Sequence, residues 1–344
     1  MQSFKANIPA FSKLLSNIDA PSITADAYAQ QYLDVLLKHK TYYLNIYATV
    51  LDAAFADIQK SIDEVSLLDF GCGNGLLALF AKFSGIGFVA ASDMNVPFLL
   101  SAQQLSKQLE LPLDQWIIGN ENILPQAFQN NVLDIVIGTD VIEHIYNLDH
   151  FFATISQLNN NIITVFTTAS VAENPIKSKQ LQSLQRKDEL FESNALHSNY
   201  HNDFVGLSFL KIRKKLIQQK YQQLDNDTID WLASATRGKQ ENDIYIAVDD
   251  FIRNKTLPIP IQHPTNTCDP ITGSWTERLL TQKEYKKLYH QFDFQLKISY
   301  GYFNDFESGF KCLFAKSLNL LLRLLGVQGK ILSPFMILVG KKQH

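Results

Sequence analysis

Short apolar runs alternate with helix-period stretches along the middle of this chain. Residues 65–70 are mostly apolar and run through Asp69 into a glycine turn, 71–75, followed by an apolar helical stretch, 76–83. Residues 87–92 predict a second strand ending at Asp93. Asn95 and Pro97 then read as an N-cap and a first-turn proline opening a helix to 109. Residues 116–119 predict a short third strand, followed by Asn120-Glu121-Asn122. Residues 133–138 are almost wholly apolar, as a strand covered on both faces should be. They lead into Thr139-Asp140-Val141-Ile142-Glu143-His144-Ile145. Asn147 caps a helix to about 158, and 161–168 predict a fifth strand. Strands alternating with helices at this spacing mean an α/β fold with a parallel, doubly wound sheet. Right-handed crossovers place all the carboxyl-end loops on one edge. The loops at 69–75, 93–95, 119–122 and 139–144 are therefore expected to converge on one crevice.

The flanks read differently. Residues 26–58 carry Tyr28, Tyr32, Val35, Leu36, Tyr43, Ile46, Tyr47, Val50, Leu51 and Phe55 at helix spacing, with no glycine or proline between them. One helix is expected there, its tyrosines candidates to roof an active site. The strand pattern breaks at Ala169. Residues 173–264 are polar and helical in pieces, at 181–191, 204–221, 228–235 and 241–254. Pro258, Pro260, Pro264 and Pro270 mark the return. Thr281 and Glu284 form a capping box opening a helix to 291. A strand at 294–300, an apolar helix at 308–325 with Lys311, Lys316 and Arg323, and a last strand at 335–340 stopped by Lys341-Lys342 complete the chain. The expected division is a helical segment at 1–60, a nucleotide-type domain at 61–170 with 276–344, and a mostly helical insertion at 171–275 capping the crevice.

Composition narrows the classes. With 344 residues, 46% hydrophobic and 19% charged, the chain has room for one large domain or one with an insertion. A net charge of −3 offers no overall field for nucleic acid, and none is expected as a partner. Cys72, Cys268 and Cys312 are scattered without a CxxC pair, which argues for a reducing compartment and against a disulfide or zinc framework. The first residues lack signal-peptide architecture, and no apolar run reaches the roughly 18 residues of a membrane span. A cytoplasmic location is the expectation.

The chemistry begins at the glycine turn. Glycine supplies backbone angles closed to other residues and lets a ligand approach the bare main chain, and the following helix offers unpaired N–H groups. A dinucleotide fingerprint needs glycine or alanine three residues after the second glycine, and Leu76 stands there. Asp93, about 20 residues beyond the first glycine, is placed to accept both hydroxyls of a ribose.

As a set, Asp69-Phe70-Gly71-Cys72-Gly73-Asn74-Gly75, Asp93, Gly119-Asn120 and Asp134…Asp140-Val141-Ile142-Glu143-His144-Ile145 resemble the class I S-adenosylmethionine-dependent methyltransferases. The flavour is that of the ubiquinone-biosynthesis-type and related small-molecule group. The resemblance covers about 61–170 and 279–342. It implies a Rossmann-like sheet of seven strands in the order 3-2-1-4-5-7-6, the last antiparallel, to which the residue pattern adds N-terminal helices and a helical insertion after strand 5. It implies S-adenosyl-L-methionine as cofactor. Residue by residue, Asp69, Gly71, Cys72, Gly73 and Gly75 would hold the methionine end, and Asp93 the ribose, with Met94 packing on adenine. Position 120 is usually aspartate in this group. Asn120 can still accept from the adenine amino group but brings no charge, and Glu121 is an alternative acceptor. Thr139 and Asp140 would line the site near the sulfonium. Methyl transfer is an in-line displacement limited by positioning and desolvation. A hydroxyl acceptor also needs a base, for which His144 is the candidate, oriented by Glu143. The plainer reading is that Glu-His is a common helix start in the family.

Other features stay open between two readings. His197, Tyr200 and His201 with Asp203 read as a polar surface, with a metal site as the rival; no metal is expected. Residues 211–215 (Lys-Ile-Arg-Lys-Lys) read as a solvated face or an anionic-substrate contact. Residues 267–278 read as a return loop or a substrate-recognition loop. Residues 308–325 read as a core or interface helix, or as shallow membrane contact. The expected function is methyl transfer to a hydroxyl or amine of a small molecule, or of a glycan- or lipid-linked intermediate, in a bacterial cytoplasmic protein, with peripheral contact at the inner membrane face through 308–325. The alternatives are a catalytically silent cofactor-binding subunit and, against Leu76 and 138–144, a dehydrogenase. No motif in 173–277 identifies the acceptor, and the oligomeric state is left open.

Overall fold

A computed structural model describes residues 3–192, 204–306, 308–326, 329 and 332–343. The chain divides into two compact units. One comprises Met1–Ile142, Leu148–Ala169 and Gln282–His344, the other Glu143–Asn147 and Ser170–Thr281.

The first unit opens with helices α1 (Ile8–Leu14), α2 (Ala20–Ile23), α3 (Ala27–Lys38) and α4 (Lys40–Phe55). Strand–helix alternation follows: β1 (Ser66–Phe70), α5 (Leu76–Phe83), β2 (Phe88–Asp93), α6 (Val96–Gln108), β3 (Gln115–Ile118), α7 (Leu124–Ala127), β4 (Ile135–Thr139), α8 (Leu148–Leu158) and β5 (Ile163–Thr168). The second unit holds α9 (Pro175–Leu190), α10 (Phe209–Lys220), α11 (Asn226–Ala235) and α12 (Glu241–Asn254). The chain then returns to the sheet with α13 (Gln282–Gln291), β6 (Phe294–Tyr300), α14 (Phe310–Leu325) and β7 (Met336–Lys342).

The sheet has seven strands in the order β3-β2-β1-β4-β5-β7-β6, as the family resemblance implies. β1 to β5 are parallel, and β7 runs antiparallel to both β5 and β6. β1 and β5 are buried along their whole length, which is why their sequences are apolar rather than alternating. Phe11 of α1 packs its ring 5.4 and 5.2 Å from Phe80 and Phe83, so the N-terminal helices belong to the same core as the strands. Asp134 secures the amino ends of the strands. Its carboxylate accepts from Lys60 Nζ at 2.7 Å and from the Ser66 N–H at 3.0 Å.

Two expectations about elements fail here. Residues 26–58 form two helices broken at His39 (φ −109°, ψ 27°), whose carbonyl accepts from the N–H groups of Tyr42 and Tyr43. α3 buries only a stripe of Ala29, Leu33 and Leu36, whereas α4 is buried almost all round. One straight helix could not satisfy both environments, so the chain turns without glycine or proline. The last strand also does not stop at Lys341-Lys342. Both residues keep the ladder, opposite Ile163 and Phe294, while the Lys341 ammonium reaches Asp57 at 2.5 Å.

In the second unit α10, α11 and α12 bury Ile212, Leu216, Leu232, Ile244 and Val248. α10 presents Phe209, Ile212, Arg213, Leu216 and Ile217 inward at helix spacing. Arg213 therefore lies on the buried stripe, which corrects the reading of 211–215 as a solvated or substrate-facing basic run. Its guanidinium takes Glu189 at 3.1 and 2.5 Å and donates from Nε to the Ala233 carbonyl at 2.8 Å. Thr267 donates to the same carboxylate at 2.7 Å. Lys211 and Lys214 are paired with Glu192 and Asp230. Removing one partner of the buried pair strands a charge. Glu189→Gln is expected to cost about 3–5 kcal/mol in thermal or denaturant unfolding, and Glu189→Leu with Arg213→Met to recover most of it.

Candidate cofactor site

The turn after β1 is built for close approach. Gly71, Gly73 and Gly75 all lie at positive φ (68°, 53° and 76°). A Cβ on Gly71 would stand 2.3 Å from Val141 Cγ2, and one on Gly75 2.7 Å from the Ala102 Cβ, so side chains are excluded on steric as well as dihedral grounds. Gly75 has no side chain to cap α5. Asp69 supplies the acceptor instead, taking the Ala78 N–H at 3.0 Å. Burial pushes its carboxyl up to about 7, opposed by that bond and assisted by the charge of Asp93. Asn74 is fully buried and donates to the Ala29 carbonyl at 3.2 Å and to Ser101 Oγ at 2.7 Å, tying the turn to α3 and α6. The Cys72 N–H donates to the Ser92 carbonyl at 2.9 Å. Burial, reinforced by Asp93 and Asp69, pushes the Cys72 thiol well up, which keeps it protonated and a poor nucleophile.

Asp93 ends β2. One carboxylate oxygen accepts the Gly73 N–H and the other the Asn95 N–H, each at 2.8 Å. Asn95 therefore does not cap α6 with its side chain as its sequence position suggested. Its backbone N–H is held by Asp93. Burial raises the Asp93 carboxyl while these bonds hold it down. Met94 is 53% exposed, and Ile118, opposite Asp93 in the β2–β3 ladder, is 55% exposed. Asn120 Oδ1 accepts from the N–H and side-chain amide of Asn122 at 3.2 and 3.0 Å, and Glu121 is buried in the same turn.

Thr139 ends β4 opposite Thr167. Asp140, at φ 51°, donates its N–H to the Thr167 carbonyl at 3.1 Å. Around it gather phenols of α3 and α4. Those of Tyr32 and Tyr43 are pushed up first by burial and next by the charge of Asp140. The Tyr32 ring lies 3.5 Å from where a Cβ on Gly73 would stand. Three buried polar atoms around the turn, Asn74 Oδ1, Ser92 Oγ and Asn95 Oδ1, find no protein partner. A bare glycine cradle, flanking carboxylates and orphaned polar atoms fit a polar ligand with nucleoside and amino-acid ends.

Asp69, 71–75 and Asp93 thus meet at the ends of β1 and β2. Met94 follows β2, Asn120 and Glu121 follow β3, and Thr139 and Asp140 follow β4. Glu143 and His144 belong to the second unit, held by the return loop. His144 Nδ1 stands 2.8 Å from the Trp275 carbonyl, and the Trp275 N–H donates to the His144 carbonyl at 3.1 Å. Arg278 N–H donates to the Glu143 carbonyl at 3.2 Å, and Trp275 Nε1 to the Tyr146 carbonyl at 3.0 Å. The rings of Tyr146 and Trp275 stack at 6.2 Å, and the Tyr146 hydroxyl donates to Asp243. A carbonyl can only accept, so Nδ1 is the donor, and in the neutral ring the lone pair lies on Nε2. Glu143 is buried. The loop at 267–278, open between two readings in the sequence, grips the 143–146 segment.

Sequence reasoning missed Ile118, Asn74, Tyr32 as a neighbour of the turn, and the Trp275 carbonyl. Asn74 was legible as the one polar side chain among the glycines. The others depend on strand register and tertiary placement. His197, Tyr200, His201 and Asp203 lie outside the described residues.

Residues 61–228 match a family model described as a methyltransferase domain. No curated protein matches the chain. Among solved structures it is similar to magnesium protoporphyrin IX methyltransferase from Synechocystis with bound SAH. There the identity is 14%, coverage 87% of this chain and 84% of that one, and the TM-score 0.36. It is also similar to geranyl diphosphate C-methyltransferase from Streptomyces coelicolor (8% identity, 87% and 76% covered, TM-score 0.42). A third is an S-adenosylmethionine dependent methyltransferase from Mesorhizobium loti (10% identity, 84% and 96% covered, TM-score 0.40). Residues 61–228 thus match a methyltransferase domain, and the sheet has the strand order that the sequence resemblance to class I S-adenosylmethionine-dependent methyltransferases implies.

Two outcomes follow for the turn. Gly71→Ala is expected to cost about 1–3 kcal/mol in chemical denaturation, with Val141→Ala in the same chain restoring part of it. Asp69 binds its proton more tightly folded than unfolded. Its contribution therefore favours folding below about pH 4 and is lost as pH rises through about 7. In thermal melts Asp69→Asn should gain stability relative to the native protein across that window, and a constant difference would refute the assignment.

Proposed function

We propose that this protein methylates a hydroxyl or amine, on a small molecule or on a glycan- or lipid-linked intermediate, with S-adenosyl-L-methionine as donor and the second unit binding the acceptor. The observation that carries the reading is the Asp93 carboxylate bonded to Gly73 and Asn95 beside a bare glycine turn with orphaned polar atoms. The bound cofactor supplies a methyl group activated on cationic sulfur.

The chain's own residues then bind, orient and hold protons. Asp93 accepts the ribose hydroxyls while fixing the turn. Asp69 and residues 71–75 receive the methionine end. Met94 and Ile118, two exposed apolar side chains at adjacent strand ends, sandwich the adenine. Asn120, whose amide oxygen is engaged by Asn122, shapes the turn, and Glu121 takes the adenine amino group. Thr139 and Asp140 stand near the sulfur, where the carboxylate favours positive charge. His144 is the general base through Nε2, its tautomer set by the Trp275 carbonyl. Glu143 is a positioning residue on the same segment.

Calorimetry tests the cofactor half. S-adenosylhomocysteine should bind at micromolar affinity and NAD not at all, and Asp93→Ala should weaken binding by about 1–3 kcal/mol. NAD binding without homocysteine-analogue binding would refute it. For the base, acceptors from a screen with radiolabelled donor serve. His144→Asn should lower kcat about a hundredfold or more, leaving S-adenosylhomocysteine affinity unchanged. An unchanged kcat would refute that role.

A further inference from the structure

α14 is an amphipathic helix turned inside out. Ala315, Asn319 and Leu322 face the protein, and Asn319 anchors the helix by accepting the Phe303 N–H at 2.7 Å and donating to the Phe303 carbonyl at 3.0 Å. The opposite face is apolar. Phe310 and Leu324 are 82% and 76% exposed, and Leu313, Phe314 and Leu320 are each more than half exposed. At 100° per residue these side chains span one arc centred opposite the buried stripe, interrupted by Ser317. Lys316 and Arg323 stand at one border of that arc and Lys311 at the other, and the 16-residue helix has no acidic residue. Among the described residues no helix is long and apolar enough to cross a membrane.

We propose that α14 lies in the plane of an anionic lipid bilayer, its apolar arc inserted at the headgroup–acyl boundary and its cations against lipid phosphates. A wide apolar face bordered by cations is the composition of an in-plane interfacial helix. A second copy of the chain is the weaker fit. Packing two such faces together brings the border cations of both helices alongside each other with no carboxylate on either helix to pair them. Topology gives the docking a direction. β6 runs parallel to β5 and β7 runs back, so α14 leaves and rejoins the sheet at the edge that carries Asp69, Asp93 and Asp140. The segment leading to α14 touches α4, where the rings of Tyr42 and Tyr302 lie 6.1 Å apart and the Tyr42 hydroxyl donates to the Tyr302 carbonyl at 3.3 Å. Lipid docking would therefore bring the cofactor edge to the bilayer and favour an acceptor dissolved in it or attached to it. That last step rests on the methyl-transfer reading; the docking itself does not.

Vesicle co-sedimentation of the full chain separates the two. The protein should pellet with phosphatidylcholine vesicles containing phosphatidylglycerol, less with phosphatidylcholine alone, and less at high salt. Replacing Phe314, Leu320 and Leu324 together by serine should abolish pelleting. Lys316→Gln and Arg323→Gln should each weaken it about fivefold. These side chains are exposed or at the border of the arc, so circular dichroism should show an unchanged fold. Three results would overturn the proposal: native protein left in the supernatant, pelleting retained by the triple serine variant, or a dimer in sedimentation velocity that this variant dissolves. S-adenosylhomocysteine binding, measured on the same samples, reports on the methyltransferase reading independently.

Discussion

The Asp93 carboxylate joins three pieces of backbone that no regular element joins: the end of β2, the turn at Gly73 and the start of α6 at Asn95. Beside it the turn is tied to β2 only by backbone, through the Cys72 N–H on the Ser92 carbonyl, because glycines contribute no side chains to hold it. The turn's covered side is fixed differently, by Asn74 to α3 and α6 and by Asp69 to α5. The loop is rigid through its neighbours rather than through its own residues, which leaves its main chain free to meet a ligand. Burial raises both carboxyls, Asp69 further through the charge of Asp93, and the backbone N–H groups they accept oppose that shift.

The fully buried strands β1 and β5, with β4 buried up to Thr139, support this precision, since close packing on both faces leaves the strand ends little freedom to shift. The second unit follows another scheme. Its helices are polar over most of their surface, and a buried ion pair, Arg213 with Glu189, stands at the junction of α9, α10, α11 and the Thr267 loop. Such a pair adds little net stability but penalises any arrangement that separates it. The same unit grips Glu143–Tyr146 through Trp275 and Arg278, only a few residues along the chain from Asp140. The link from cofactor turn to candidate base is therefore a short stretch of backbone with each end anchored in a different unit.

The sheet was legible because its order follows from apolar runs punctuated by turn residues, and the glycine turn because its spacing is steric. The family resemblance added the position of β7. What escaped the sequence was set by tertiary contact. His39 breaks a helix with no breaker residue, because α3 and α4 meet different surroundings. Lys341 and Lys342 extend a strand because their ammonium groups reach past its edge. Asn95 holds the start of α6 through its backbone N–H on Asp93 rather than through its side chain. Asn120 was read for its acceptor, and the structure shows that oxygen engaged within its own turn.

One misreading and one open reading share a cause. The basic run in α10 reads as solvated or substrate-facing, yet Arg213 is fully buried; the apolar run in α14 reads as core, interface or membrane contact, and its widest apolar arc faces outward. Helical periodicity identifies a stripe but not what the stripe meets. In α10 the ambiguity is resolved by Glu189, a partner supplied from another helix, which turns an interior cation into a satisfied one. In α14 nothing among the described residues of its unit covers the arc: Asn319 and Ala315 have already committed the opposite face to the protein. The apolar arc held outward by these hydrogen bonds and the cations along its borders are what the proposed docking to an anionic bilayer rests on.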